Sequence, residues 1–230
     1  MQNLCQAENG DFGIKTQFSS VQKVSRQCID SFWTLIFCLV ATALAQTPIT
    51  DPRDGKEYKT AKIGEQVWLA ENLNYNAEGS KCYDNKPENC EKYGRLYNWD
   101  MAINVCPSGW HLPSKSEYEE LHNIAGGREI AGKKLKTKSG WANNCDGCNG
   151  TDEFGFSALP GGYGYIDGPF YAVGFLGYWW SAKEYEFSDH YAYRRNLFNK
   201  FGDENWKEYE VKRCLFSVRC IKGKSQGGMK

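Results

Sequence analysis

An excess of charge of either sign is missing from this chain. Lysine plus arginine number 28 and so do aspartate plus glutamate, giving a formal net charge of zero over 230 residues. No basic stripe is present, so nucleic acid is not an expected partner. Histidine is scarce at 3 residues. His111, His122 and His190 are scattered, which leaves no metal-ligand spacing and no base beside a candidate nucleophile. No internal repeat or low-complexity tract is visible, which argues against a solenoid. Long apolar runs are absent except from Phe32 to Ala45, and that run is too short to span a bilayer comfortably.

What the chain has instead is rings, glycine and cysteine. Aromatic residues make up 15% of it, with 24 glycines and 10 cysteines. Many tyrosines and tryptophans with few leucines suit a β-rich, loop-rich extracellular domain better than a helical bundle. Lys23 and Arg26 precede the apolar run, and Ala43-Leu44-Ala45 ends it in the small-residue pattern of a cleavage site. The segment 1–45 therefore reads as a signal peptide with its upstream stretch, cut after Ala45. The competing reading is a buried helix or an uncleaved anchor. No transmembrane span is expected after cleavage. Export makes disulfides the default for Cys82, Cys90, Cys106, Cys145, Cys148, Cys214 and Cys220. That set is odd in number, so one cysteine stands outside any internal pairing.

Residues 46–53 read as a linker, and Asp54-Gly55 is a turn dipeptide that opens the domain. Tyr58–Ile63 and Gln66–Ala70 are short β runs around Gly64, the pattern of a hairpin. Lys81–Asn89 is polar and loop-like, bracketed by Cys82 and Cys90. Leu96, Trp99 and Ile103 recur at helical spacing. Ser114 stands three residues before Glu117, a capping-box spacing that starts a helix over Lys115–Ala125, and Gly126-Gly127 stops it. After Phe154 the pattern changes to turns and strands: Gly177–Ser181, an alternating Tyr191–Leu197, and a last strand Leu215–Ile221. Helices early and strands late argue for an α+β fold. The tail 223–230 is polar and reads as disordered.

Several blocks together identify a family. They are Asp54-Gly55-Lys56-Glu57-Tyr58, Lys62-Ile63-Gly64-Glu65-Gln66-Val67-Trp68, Ala70-Glu71-Asn72-Leu73-Asn74-Tyr75 and Tyr93-Gly94-Arg95-Leu96-Tyr97-Asn98-Trp99. Cys106-Pro107-Ser108-Gly109-Trp110-His111-Leu112-Pro113-Ser114 follows, then Asp152–Gly162, Tyr178-Trp179-Trp180-Ser181 and Ser217-Val218-Arg219-Cys220. In this order, over about residues 54–222, they resemble the Fibrobacter succinogenes major paralogous domain family. The resemblance implies a C-type-lectin-like fold shared with formylglycine-generating enzymes: two short helices, irregular antiparallel sheets, disulfide staples and chain ends that meet. It implies an exported or surface protein and assigns no activity. A Cys106–Cys220 bridge between the helical half and the last strand is implied by the lectin-like fold. Cys82 with Cys90 would close a small loop, although pairing cannot be read from sequence.

The chemistry-bearing candidates remain open at this level. Cys145-Asp146-Gly147-Cys148 fits a redox site, half a zinc site or a local staple; export and the absence of a second CxxC favour the staple. No metal or other cofactor is expected: the tripeptides of calcium-dependent lectins are absent, Asn98-Trp99-Asp100 having a different order. Asp146, Asp152 and Glu153 read as a solvated acidic turn before they read as a cation site. No acid, base and nucleophile converge, so an enzyme is not expected. A formylglycine-generating type ranks last, because the spacing of Cys214 and Cys220 does not match that family's cysteine pair. Tyr163, Tyr165, Tyr171, Tyr178, Trp179 and Trp180 suggest an aromatic platform for sugar rings, with Arg194 and Asn196 as polar neighbours. Strand alternation predicts that one of Trp179 and Trp180 is buried and the other more exposed. The leading expectation is an exported cell-surface binding or adhesion module for a glycan or cell-wall polysaccharide. The alternative is a structural or protein–protein interaction domain of the cell envelope that takes no small ligand.

Overall fold

A computed structural model describes residues 47–127, 129–142, 147–199 and 208–223. The expected signal segment and cleavage site, Cys145 and Asp146, and the tail beyond Gly223 lie outside the described residues. In chain order the elements are β1 (Ile49–Thr50), β2 (Glu57–Tyr58), β3 (Thr60–Ile63), β4 (Gln66–Leu69), α1 (Pro87–Tyr93), β5 (Leu96–Tyr97), α2 (Trp99–Ala102), β6 (Trp110–His111), α3 (Lys115–Ile124), α4 (Ala131–Leu135), β7 (Tyr163–Tyr165), β8 (Phe170–Tyr171), β9 (Leu176–Glu184), β10 (Tyr191–Phe198), β11 (Tyr209–Val211), β12 (Cys214–Ser217) and β13 (Ile221–Lys222). The class is α+β, mostly sheet.

Three sheets form among the described residues. The largest runs β11-β10-β9-β12-β7-β8, with β5 also on β12; a second runs β3-β4-β13-β6, and β1 pairs with β2. The β3–β4 hairpin turns at Gly64-Glu65, with Ile63 opposite Gln66. Within the 46–53 stretch expected as a linker, Ile49 pairs with Tyr58 and Asp51 is fully buried against Arg53 at 2.6 Å. An extended pair and a buried carboxylate make this stretch part of the domain.

The expected helix at Ser114 is present with both halves of its capping box: Glu117 N–H donates to Ser114 Oγ at 3.2 Å, and Ser114 N–H donates to Glu117 Oε2 at 2.7 Å. Two further helices, α1 and α4, add to the expected pair. The first starts inside the polar stretch that reads as a loop, where Pro87 occupies the first turn and needs no donor there. The single last strand expected over Leu215–Ile221 is broken. β12 belongs to the large sheet and β13 to the small one, and the three residues between carry the chain across.

Two disulfides staple the result, Cys82–Cys90 and Cys106–Cys220. The second closes a loop with a sequence separation of 114 and fixes the turn before α3 to the start of β13. Cys148 is disulfide-bonded as well, while Cys145, its expected partner, lies outside the described residues. Cys214 is a buried thiol.

Strand β9 separates two cores. Trp179 packs with Trp68, Tyr118, Leu121, Leu135, Trp141 and Phe156 on one face. Trp180 packs with Leu69, Leu73, Tyr97, Leu112, Phe216 and Val218 on the other. Both tryptophans are buried, at 2% and 0% exposure, so the expectation of one exposed ring is corrected. Alternation sends them to opposite faces as expected, but both faces of this strand are covered.

Candidate functional site

With both tryptophans inside, the platform is made of tyrosine. Tyr163 is the hub. Its ring centroid lies 6.1 Å from that of Tyr165, 5.4 Å from Tyr171 and 5.3 Å from Tyr178. Tyr178 stacks on Phe216 at 4.9 Å with 21° between planes, and Phe216 in turn meets Trp180 at 4.4 Å. The exposed layer thus rests on the Trp180 core through Phe216. Tyr165 and Tyr171 form the rim at 45% and 43% exposure.

Local geometry explains why these rings meet. Tyr163 and Tyr165 are two apart on β7 and point to one face. Tyr171 on β8 is the register partner of Tyr163. The β7 entry needs glycine at 162, where φ is +68° and a Cβ would lie 2.5 Å from the Tyr171 carbonyl oxygen. Any side chain there would push apart the two strands that carry the rim.

Arg194 and Asn196 come from β10, opposite Trp180 and Tyr178. The Arg194 guanidinium carbon sits 4.5 Å from the Tyr178 ring centre, within cation–π range. Its Nη1 donates to Asn196 Oδ1 at 2.6 Å, and its Nη2 lies 3.9 Å from Glu210 Oε2. Burial lowers the Arg194 pKa from its usual value and raises that of Tyr178. Among the described residues, the buried Arg194 Nε and Asn196 Nδ2 make no hydrogen bond. Buried donors without an acceptor are uncommon and call for a specific explanation.

The structure therefore gathers Tyr165, Tyr178 and Arg194 on one face and withdraws Trp179 and Trp180 from it. Tryptophan indoles so placed bond inward: Trp180 Nε1 donates to Tyr97 O at 2.8 Å, and Trp179 Nε1 to Asn72 Oδ1 at 2.9 Å. Neither ring offers a face to a ligand. Sequence alone gives no sign of Glu210 or of the Phe216 support, because both reach the face through strand pairing with distant segments.

The other candidates resolve into structure. His111 Nε2 meets Glu117 Oε1 at 2.8 Å and its Nδ1 meets Gly223 O at 3.1 Å, so the ring ties β6 to the α3 cap and to the end of β13. Burial pulls the His111 pKa down, but those two partners outweigh it and the net shift is upward. Glu117 is pushed up by burial and pulled further down by His111 and Ser114. Asp152 accepts from both N–H and Oγ of Ser157 at 2.7 Å, an acidic turn closed on itself. No group of three or more His, Cys, Asp and Glu gathers around a common point among the described residues.

The blocks that carry the family resemblance converge on a buried hub. Arg219, fully buried, donates to Asn72 Oδ1 at 2.7 Å, to Leu69 O at 3.1 Å and to the carbonyls of Phe156 and Ser157. Asn72 donates to Tyr93 O at 2.8 Å and accepts from Trp179. Burial lowers the Arg219 pKa to about 10. The family model of the Fibrobacter succinogenes major domain matches residues 61–222. The chain belongs to this family. No curated protein and no solved structure matches the chain. The Fibrobacter succinogenes major domain seen here spends Asn72, Trp179 and Arg219 on its interior, so those residues serve the architecture; of the tyrosine face, Tyr178 lies in a family block while Tyr163, Tyr165 and Tyr171 lie outside the blocks.

Proposed function

We propose that this domain is an exported carbohydrate-binding module and that the tyrosine face is where it meets a glycan or cell-wall polysaccharide. The observation that carries the reading is the union of two exposed rings, Tyr165 and Tyr171, with two buried donors that lack acceptors, Arg194 Nε and Asn196 Nδ2. Sugars present apolar C–H faces for the rings and hydroxyl oxygens for the donors. Exposed aromatics with a few convergent polar groups fit a ligand site. Export is supported by the disulfides. A C-type-lectin-like architecture is supported by the Cys106–Cys220 bridge and by β13, which brings the end of the domain to β4 near its start.

A polysaccharide and glycan array probed with the protein and with the Tyr165→Ala/Tyr171→Ala double variant tests this. Saturable binding that falls at least about tenfold in the variant is the expected result. Binding that the double variant retains in full contradicts the placement of the site.

A protein-binding reading has one specific observation behind it. Phe187 is 81% exposed at the far end of β9, beside Tyr185, which stacks on Tyr209 at 4.0 Å. Loss of envelope-protein capture in Phe187→Ala, with no glycan bound by the wild type, is the result that favours it.

A further inference from the structure

We infer that the glycan taken by this face is a carboxylated one, a polysaccharide containing uronic acids, and that Arg213 and Arg194 receive its carboxylates. The inference rests on the glycan reading above and narrows its ligand class. Beside Tyr165 a cleft of about 370 Å³ opens between the β7–β8 turn and the start of β12. That volume lies in the range of ligand sites, roughly 300–1,000 Å³. Tyr165, Ile166 and Val211 give it apolar walls, and Arg213 and Asp167 stand as its charged lining.

The two charged side chains are 77% and 83% exposed and touch once, at 3.5 Å. An exposed pair of this kind is held weakly and opens easily. A guanidinium has five donors in a planar fork, and a carboxylate fills that fork two bonds at a time. Arg194 stands at the other end of a chain of contacts that runs from Tyr165 through Tyr163 to Tyr178. Its Nε and the neighbouring Asn196 Nδ2 are donors in want of acceptors, and Glu210, at 3.9 Å, is beyond hydrogen-bond reach of its Nη2. Both ends of the tyrosine row thus carry guanidinium donors, and the carboxylate that faces each, Asp167 or Glu210, is held no closer than 3.5 Å and 3.9 Å. A neutral hydroxyl group both donates and accepts. A carboxylate only accepts and brings the opposite charge, so a polymer with acidic groups at intervals matches both ends.

The probes are polygalacturonate and alginate, each compared with its methyl-esterified form, which keeps the backbone and removes the charge. The acidic forms are expected to bind at least about tenfold more tightly. Arg213→Gln, at an exposed position, is expected to fold as the wild type does by thermal melt and to lose most of that preference. Equal affinity for acid and ester, or a preference that Arg213→Gln leaves intact, overturns the inference. If neutral polysaccharides bind through Tyr165 and Tyr171 while esterification makes no difference, the carboxylate inference fails and the glycan reading stands. If no polysaccharide binds, both fail.

Discussion

Trp179 and Trp180 are neighbours in sequence and belong to different cores, and their indole N–H groups end on Asn72 and on the Tyr97 carbonyl. Truncating either ring leaves a large cavity in a close-packed interior. Trp180→Ala is expected to cost about 3–5 kcal/mol, read as a drop in the urea midpoint. A variant as stable as the wild type would show that the ring is not packed as described. Tyr165→Ala is expected to change stability by less than about 0.5 kcal/mol, the usual range for exposed positions. These opposite expectations separate what holds the fold from what meets a ligand. The aromatic richness of Gly177–Ser181 is legible in the sequence, as is the alternation that sends the two tryptophans apart. That neither face of the strand stays wet at these two rings is not legible, because it depends on α3 covering one face and β5 with Phe216 covering the other.

At the scale of elements, the segment around α3 is the best-written part of the chain. Its capping box, its start after Ser114 and its stop at the double glycine are local features, and local features survive translation from sequence to structure. The β12–β13 break is not local. Phe216 pairs with Tyr97, and Ile221 with Trp68 and His111, so the strand divides because two different sheets claim its ends. The His111–Glu117 contact links these elements and makes a pH-dependent prediction. His111 has its pKa raised above the usual 6.5, so its contribution is fully present below 6.5 and is lost as pH climbs through the raised value. Glu117 has its pKa lowered from 4.5, so its contribution is present above 4.5 and is lost as pH falls through the lowered value. The stability difference between wild type and His111→Gln is expected to be greatest between pH 4.5 and 6.5 and to shrink on the alkaline side. A difference that stays flat from pH 5 to pH 9 in denaturant titrations would show that the contact carries no charge.

For the molecule as a whole, closure comes from long-range links. Cys106–Cys220 and the Arg219–Asn72 hub both join the first half of the domain to its last strands. The Cys106→Ala/Cys220→Ala variant is expected to lose about 4–5 kcal/mol and Cys82→Ala/Cys90→Ala about 2–3, following the sizes of the closed loops. Equal losses in thermal melts would argue against the chain-entropy account. Family membership and α+β class were readable from ordered blocks of sequence. The hub those blocks build was not, since Asn72 and Arg219 are a sequence separation of 147 apart and meet only in the folded state. The central claim, that the tyrosine face and not the tryptophan pair is the recognition surface, is tested most directly by ring-resolved NMR of tyrosine-labelled protein titrated with a panel of neutral and acidic polysaccharides. The account predicts that the Tyr165 and Tyr171 ring signals move on binding while those of Tyr185 and Tyr209 hold still. Signals that move only at Tyr185 and Tyr209, or at no tyrosine with any polysaccharide of the panel, would contradict it.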